Sequence, residues 1–373
     1  MDQLLQEHYH LVIYSVFFVS SVIFSFLMNN LFLRFFKTLG IRNNNDGTII
    51  RWGALSKPAV GGISFYILFL LSVACYSVFF SPSQVFYNTK FIGLLLSMAL
   101  GFIVGLADDA YDTKPFLKFF VQFSCGAIMI ATGIRIEIFE WEALNILFTL
   151  FWVVGIMNSI NMLDNMDGIT TTVSIGIVIC AMIIILTNAD FENMHLIILV
   201  GVLSSLLTFL WFNWNPSRMY MGDTGSQFLG AFLAAIGIMY FWNDHYVGAI
   251  ISPARQFIIA IMCFILPVID TTVVVYNRVS NGKSPFVGGK DHTTHSLAYL
   301  GLSDRQVALC FMGLSIISTI CIFVIENYIT EWSHLYTAIF GIYFLSLLVF
   351  FFNATRKAAQ KRGQSDKKVA GIT

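Results

Sequence analysis

Apolar runs long enough to cross a bilayer recur along the chain, and short polar joints separate them. A helical span needs roughly 20 apolar residues. Eleven stretches come close to that length: 11–33, 61–80, 91–107, 115–133, 144–160, 169–187, 195–212, 225–242, 254–276, 306–325 and 334–353. Several joints are so short that neighbouring helices must run antiparallel. The pattern predicts an all-α polytopic membrane protein of about eleven transmembrane helices. Residues 1–353 are expected to form one transmembrane domain, and 354–373 a basic tail. The opening MDQLLQEHYH lacks the basic n-region of a cleaved signal peptide, so the first run is expected to remain as a span.

Composition agrees with this reading. Of 373 residues, 57% are hydrophobic and 11% charged, against about 25% charged in soluble domains. The net charge is zero, so the placement of charge says more than its sum. Of the 21 Lys and Arg, all but Lys90, Arg135 and Arg255 fall on one set of loops and on the tail. Basic loops face the cytoplasm, which puts the N-terminus outside and the C-terminus inside. Every glutamate falls toward the opposite side, so the inner carboxylates are all aspartates. The inner side also holds His292 and His295. The six cysteines lie within apolar runs without a C-x-x-C pair and read as small hydrophobes.

The inner segments carry the candidate chemistry. In NSINMLDNMDG, residues 158–168, Asn158, Asn161, Asp164 and Asn165 share one face if the segment is helical. Carboxylates beside a bilayer core are expensive and are usually kept for a task; the plain alternative is a helix cap. Lys57, in SKPAVGG, is placed either to meet a phosphate or to snorkel to the interface. Asp108 and Asp109 are adjacent, and two such carboxylates repel unless a cation or proton separates them. Magnesium is the natural cation, since it takes oxygen ligands and completes its shell with substrate phosphates. Adjacent residues do not share a helix face, so one carboxylate is free to bind metal while the other points elsewhere. Lys114 and Lys118 follow on the headgroup side.

Asp223 sits between two glycines at the mouth of a span, as a cap, a metal ligand or both. Asp270 lies inside the run 254–276, either as a structural hydrogen-bond partner or as part of a site. The longest inner loop, 277–305, combines Arg278, Lys283, Lys290, Asp291, His292 and His295. Its cationic and imidazole donors suit a diphosphate; a basic inner loop without a task is the alternative. H-x-x-H without a Cys or Glu partner is a weak zinc signal. The tail from 354 reads as an electrostatic anchor at the membrane surface.

Together these segments resemble the polyprenyl-phosphate N-acetylhexosamine-1-phosphate transferases. The matching pieces are Pro58 with Gly61-Gly62, Asp108-Asp109, then Asn158, Asn161, Asp164 and Asp167-Gly168, then Gly222-Asp223 with Gly225-Ser226, and finally SPF…DHTTH, ending at His295. The resemblance implies a helical bacterial cytoplasmic-membrane enzyme, often a homodimer. It moves a sugar 1-phosphate, N-acetylglucosamine 1-phosphate above all, from a UDP-N-acetylhexosamine to undecaprenyl phosphate, with release of UMP. It implies magnesium (with manganese as a substitute), a lipid substrate and no nucleic-acid partner. By resemblance, Asp108, Asp109 and Asp223 are catalytic, and Asp223 with Asp164 holds the metal. Lys57, Lys118, Asn158, Asn161, Asp164 and Asp167 bind substrate, the last three at the nucleotide end, and Lys290, His292 and His295 hold the diphosphate.

The chain departs from the family pattern twice. It reads Asp164-Asn165-Met166-Asp167-Gly168 where D-G-x-D-G is common, and its loop has two histidines where the muramoyl-pentapeptide branch usually shows three. It is therefore closer to the branch that starts O-antigen, teichoic acid or other surface glycans, with the muramoyl-pentapeptide type as the alternative. The competing class is an ion-coupled transporter. That class concentrates its carboxylates near the bilayer midplane, whereas here only Asp270 lies well inside.

Overall fold

A computed structural model describes residues 2–35, 57–80, 87–188, 193–243, 252–285 and 289–369. Lys37, Arg42 and Arg51 of the first basic loop, and Phe286 of the SPF motif, lie outside the described residues. The chain order is α1 (Asp2–Phe35), α2 (Gly61–Phe79), α3 (Thr89–Tyr111), α4 (Pro115–Ala131), α5 (Glu142–Leu163), α6 (Ile169–Thr187) and α7 (Met194–Asn213). Then come α8 (Gly222–Ile236) with a closing π-helical turn (Gly237–Trp242), α9 (Pro253–Cys263), α10 (Ile265–Ser280), α11 (Thr293–Leu300), α12 (Asp304–Tyr328) and α13 (His334–Val369). Among the described residues, β-structure is limited to a single bridge between Ala59 and Tyr220.

Each of the eleven expected runs is helical. Among the described residues nine helices are long and apolar enough to cross a membrane, and α4 is a shorter apolar helix. The protein is a multi-pass membrane protein.

The run 254–276, expected as one span, is not one straight helix. It breaks into α9 and α10, which meet at 78°. Pro267 explains the break: it has no N–H to give to Cys263, and its ring crowds that carbonyl. Phe264 fills the corner against Trp152, with ring centroids 5.0 Å apart, and against Phe241.

Helix α8 is the axis. Of its most apolar stretch 89% is buried, against 6% for α13 at the periphery. In lipid, helices associate by close packing more than by an apolar driving force, and glycines supply that closeness here. A Cβ on Gly62 of α2 would lie 2.1 Å from the Gly225 nitrogen. One on Gly105 of α3 would lie 2.2 Å from the Asp223 carbonyl oxygen, and one on Gly230 would lie 2.7 Å from Met157 Cα in α5. The backbones of α2, α3 and α5 therefore close on α8, and their polar ends meet around its first turn.

Helix α13 passes the expected tail boundary at 353 without a break and runs to Val369. Ala354, Thr355 and Ala358 are buried, so the first part of the tail packs on the body of the protein.

Candidate active site

The adjacent aspartates of α3 point to different partners. Asp109 caps α8 from outside that helix: the backbone N–H groups of Asp223 and Thr224 donate to it at 3.0 and 2.8 Å, and Thr224 Oγ1 at 2.6 Å. A carboxylate at a helix N-terminus satisfies unpaired N–H groups and meets the positive end of the dipole. Asp108 faces the other way. Thr113 donates to it from its backbone N–H (2.9 Å) and Oγ1 (2.6 Å), while Lys118 Nζ lies 2.6 Å from Asp108 Oδ2.

The same ammonium lies 2.6 Å from Asp223 Oδ2. From α5, Asn161 Nδ2 donates to Asp223 Oδ1 at 3.2 Å and to Ser226 Oγ at 2.8 Å. Four helices, α3, α4, α5 and α8, thus place Asp108, Lys118, Asn161 and Asp223 around one point.

One turn deeper lies a layer of amides. Gln122 follows Lys118 by four residues and Gln227 follows Asp223 by four, so each lies on the same helix face as the residue above it. Asn158 Nδ2 donates to Gln122 Oε1 at 2.7 Å, and Gln122 Nε2 donates to Gln227 Oε1 at 3.1 Å. Gln122 and Gln227 are buried. Asn158 therefore belongs to the floor of the site. Gln122 and Gln227 escaped the sequence reading, although their i+4 spacing from charged neighbours was a usable signal.

The turn after α5 is braced by the segment 213–220. Asp167 accepts from Ser217 N (2.9 Å), Ser217 Oγ (2.7 Å) and Asn215 Nδ2 (3.2 Å). Lys57 Nζ donates to Ser217 Oγ at 2.9 Å and lies 3.7 Å from Asp167. Gly168, at φ +77°, takes the left-handed conformation that starts α6. Its N–H donates to Asn213 Oδ1 at 3.0 Å. Asp164 ends α5. Asn161, one turn earlier on α5, reaches Asp223.

A second cluster adjoins the first. Asp270 is buried in α10, and its carboxylate holds His292 Nδ1 at 2.9 Å, Thr293 N at 2.9 Å and Thr293 Oγ1 at 2.6 Å. The aspartate is thus the orienting partner of a loop histidine, a role the sequence left open. His295 stacks edge-on to His292, with ring centroids 5.5 Å apart. Burial pushes the His295 pKa down to about 4. Arg278 grips Asp291 with Nε at 2.8 Å and Nη2 at 2.7 Å and donates to the Pro285 carbonyl at 2.9 Å, which closes the loop. Partial burial raises the Asp291 carboxyl, but this fork outweighs it and holds the group below the usual carboxylate range. Lys290, half-buried, stands at the mouth of the loop. Thr294 Oγ1 donates to Asn165 Oδ1 at 2.6 Å, and Thr271 Oγ1 to Ser159 Oγ at 2.9 Å, which ties this cluster to α5.

The donor set tells which cation the first cluster suits. Among the described residues no group of three or more His, Cys, Asp or Glu is arranged to hold a metal. Magnesium does not need one, since it is commonly bound by one or two carboxylates, water and substrate phosphate. Asp108 and Asp223 share one positive charge through Lys118 at 2.6 Å on each side, and their oxygens are of the hard type that magnesium takes. The pair fits such an ion.

The family model described as "Glycosyl transferase family 4" matches residues 91–241, which include Asp108, Asp109, Asn161, Asp164 and Asp223. The Bacillus subtilis (strain 168) protein named "Probable undecaprenyl-phosphate N-acetylglucosaminyl 1-phosphate transferase" is 26% identical over 301 residues, covering 78% of this chain and 79% of that protein. The Mycobacterium leprae (strain TN) decaprenyl-phosphate N-acetylglucosaminephosphotransferase is 26% identical over 285 residues, 68% of this chain and 69% of its own. The Streptococcus agalactiae serotype Ia phospho-N-acetylmuramoyl-pentapeptide-transferase is 30% identical over 233 residues, 56% of this chain and 67% of its own.

Proposed function

The chain belongs to glycosyl transferase family 4, and on that premise we propose that it transfers a sugar 1-phosphate from a UDP-sugar to a polyprenyl phosphate, with release of UMP. The observation that carries this reading is the meeting of Asp108, Lys118, Asn161 and Asp223 beside the Asp270–His292–His295 cluster. One group of side chains suits a cation and a phosphate, the adjoining one a diphosphate. N-Acetylglucosamine 1-phosphate is the transferred group we favour and undecaprenyl phosphate the acceptor, as the name of the Bacillus relative suggests. The basic residues at this end of the helices support a site at the cytoplasmic face of the bacterial inner membrane, where a soluble donor would meet a lipid-tethered acceptor.

A magnesium ion held by Asp223 and Asp108 would neutralise charge on the donor diphosphate and the leaving UMP. The residues do the rest. Lys118 balances both carboxylates and supplies a cation to phosphate oxygens. Asn161 fixes the Asp223 carboxylate, and Asp109 fixes the turn that bears it. His292, oriented by Asp270, and His295 hold the diphosphate through ring N–H groups. An oxygen of the acceptor phosphate attacks the phosphorus attached to the sugar; that P–O bond forms as the bond to UMP breaks. A phosphate monoester is largely a dianion near neutral pH, with a second pKa of about 6. It therefore needs little help from a base, and Asp108 serves to orient it or to take its residual proton. Positioning and charge stabilisation supply most of the acceleration, as in other phosphoryl transfers.

The test is incubation of the purified protein with undecaprenyl phosphate and a panel of UDP-sugars, scoring UMP release with and without magnesium. Release only with UDP-N-acetylglucosamine, magnesium and acceptor together supports the reading. Release only with the muramoyl-pentapeptide donor moves the chain to that branch.

A further inference from the structure

Helix α13 is longer than a membrane requires. Its 36 residues extend about 54 Å at 1.5 Å per residue, against a hydrocarbon core of about 30 Å. Past residue 353 the helix has two unlike faces. One is docked. Phe351, Ala354, Thr355 and Ala358 are buried. Asn277 Nδ2 of α10 donates to Thr355 Oγ1 at 3.4 Å, and Tyr276 meets Phe352 edge-on at 5.2 Å.

One turn further on, the Arg362 guanidinium lies 4.6 Å from the centre of the Tyr299 ring, and Nη1 donates to the Lys290 carbonyl at 3.4 Å. Tyr299 belongs to α11, the helix that carries His295, and Lys290 lies two residues before His292. The docked face therefore touches the histidine loop at both of its ends. The other face carries Arg356, Lys357 and Lys361, all exposed. No carboxylate stands anywhere between His334 and Arg362. These cations begin where the apolar run ends, at the level of lipid headgroups, where clustered Lys and Arg attract anionic lipid.

We propose that the extension of α13 is an anionic-lipid sensor: Arg356, Lys357 and Lys361 hold anionic phospholipid headgroups, and the docked face passes that binding to α11 through Arg362. Headgroup binding orders the extension, and an ordered extension holds the histidine helix in place. The first half stands on the helix alone. The kinetic consequence rests on the transferase reading.

The experiment compares the full chain in nanodiscs of pure phosphatidylcholine with discs that also contain phosphatidylglycerol. Two readouts need no activity: phosphatidylglycerol retained on the protein in native mass spectrometry, and hydrogen exchange of amides 293–300. In wild type, phosphatidylglycerol is retained and α11 exchange slows on the order of fivefold, a typical coupling between sites. The R356Q/K357Q/K361Q variant retains less lipid and shows no slowing. Arg362→Ala keeps the lipid but loses the slowing, which separates headgroup binding from its transmission. The KM for the UDP-sugar then falls with phosphatidylglycerol in wild type only. Equal lipid retention by wild type and the triple variant overturns the proposal. So does α11 exchange that ignores the lipid, or a triple variant that changes the monomer–dimer balance in place of lipid retention.

Discussion

His292 and Asp270 lie 22 residues apart in sequence, and the aspartate carboxylate meets the ring Nδ1 at 2.9 Å. With the carboxylate ionised, Nδ1 carries a proton toward it, and the ring is held with Nε2 on the side away from Asp270. Removing this partner leaves the ring without a fixed tautomer. Asp270→Asn is therefore expected to lower kcat/KM about tenfold to a hundredfold, the worth of one hydrogen bond to a charged group. The loss should appear mainly as a higher KM for the UDP-sugar. Steady-state kinetics of the purified variant check this; an unchanged KM contradicts the orienting role.

Asp109 and Asp223 were both expected to be catalytic, with Asp223 also a metal ligand, and their partners in the structure differ. Asp109 takes three hydrogen bonds from the start of α8. Asp109→Ala should therefore cost about 1–2 kcal/mol as a lost cap and lower the thermal midpoint, with activity lost alongside. Asp223→Ala should abolish activity with little change in the midpoint. Thermal unfolding of both variants in detergent distinguishes the two duties.

The histidine helix sets an acid limit on stability. The His295 pKa is lowered from 6.5 to about 4 by burial. The unfolded chain thus takes up this proton first as pH falls. The contribution is fully present above about pH 6.5 and declines down to about pH 4, by about 1.4 kcal/mol per pH unit. Midpoints measured at pH 7, 6 and 5 should fall more steeply in wild type than in His295→Gln. Parallel curves would contradict the assignment.

The amide layer beneath the carboxylates predicts a cost without a change in charge. Gln122→Leu leaves Asn158 and Gln227 without their shared partner and should destabilise the protein by about 1–3 kcal/mol. Unfolding of the variant in detergent checks this. A neutral result would mean that the layer is filled by another donor.

The sequence displayed what depends on composition along a single segment. The eleven apolar runs are such features, and all became helices. So is the divergence of Asp108 and Asp109, since neighbours on a helix face different ways. Features that depend on distant partners were hidden. Nothing near Asp270 announces that His292 will reach it, and Gln122 reads as a stray polar residue until α5 and α8 supply Asn158 and Gln227. The bend at Phe264 was within reach, because Pro267 sits in the run; apolar length alone concealed it. The tail was legible as basic, but its docking on Tyr299 required the fold.

The most direct test is UMP release by purified Asp223→Asn beside wild type, with undecaprenyl phosphate, UDP-N-acetylglucosamine and magnesium, both proteins inserted equally in membranes. The account predicts turnover in wild type and a loss of about a thousandfold in the variant, the scale of removing one electrostatic group from a transition state. Near-normal turnover by the variant would contradict it.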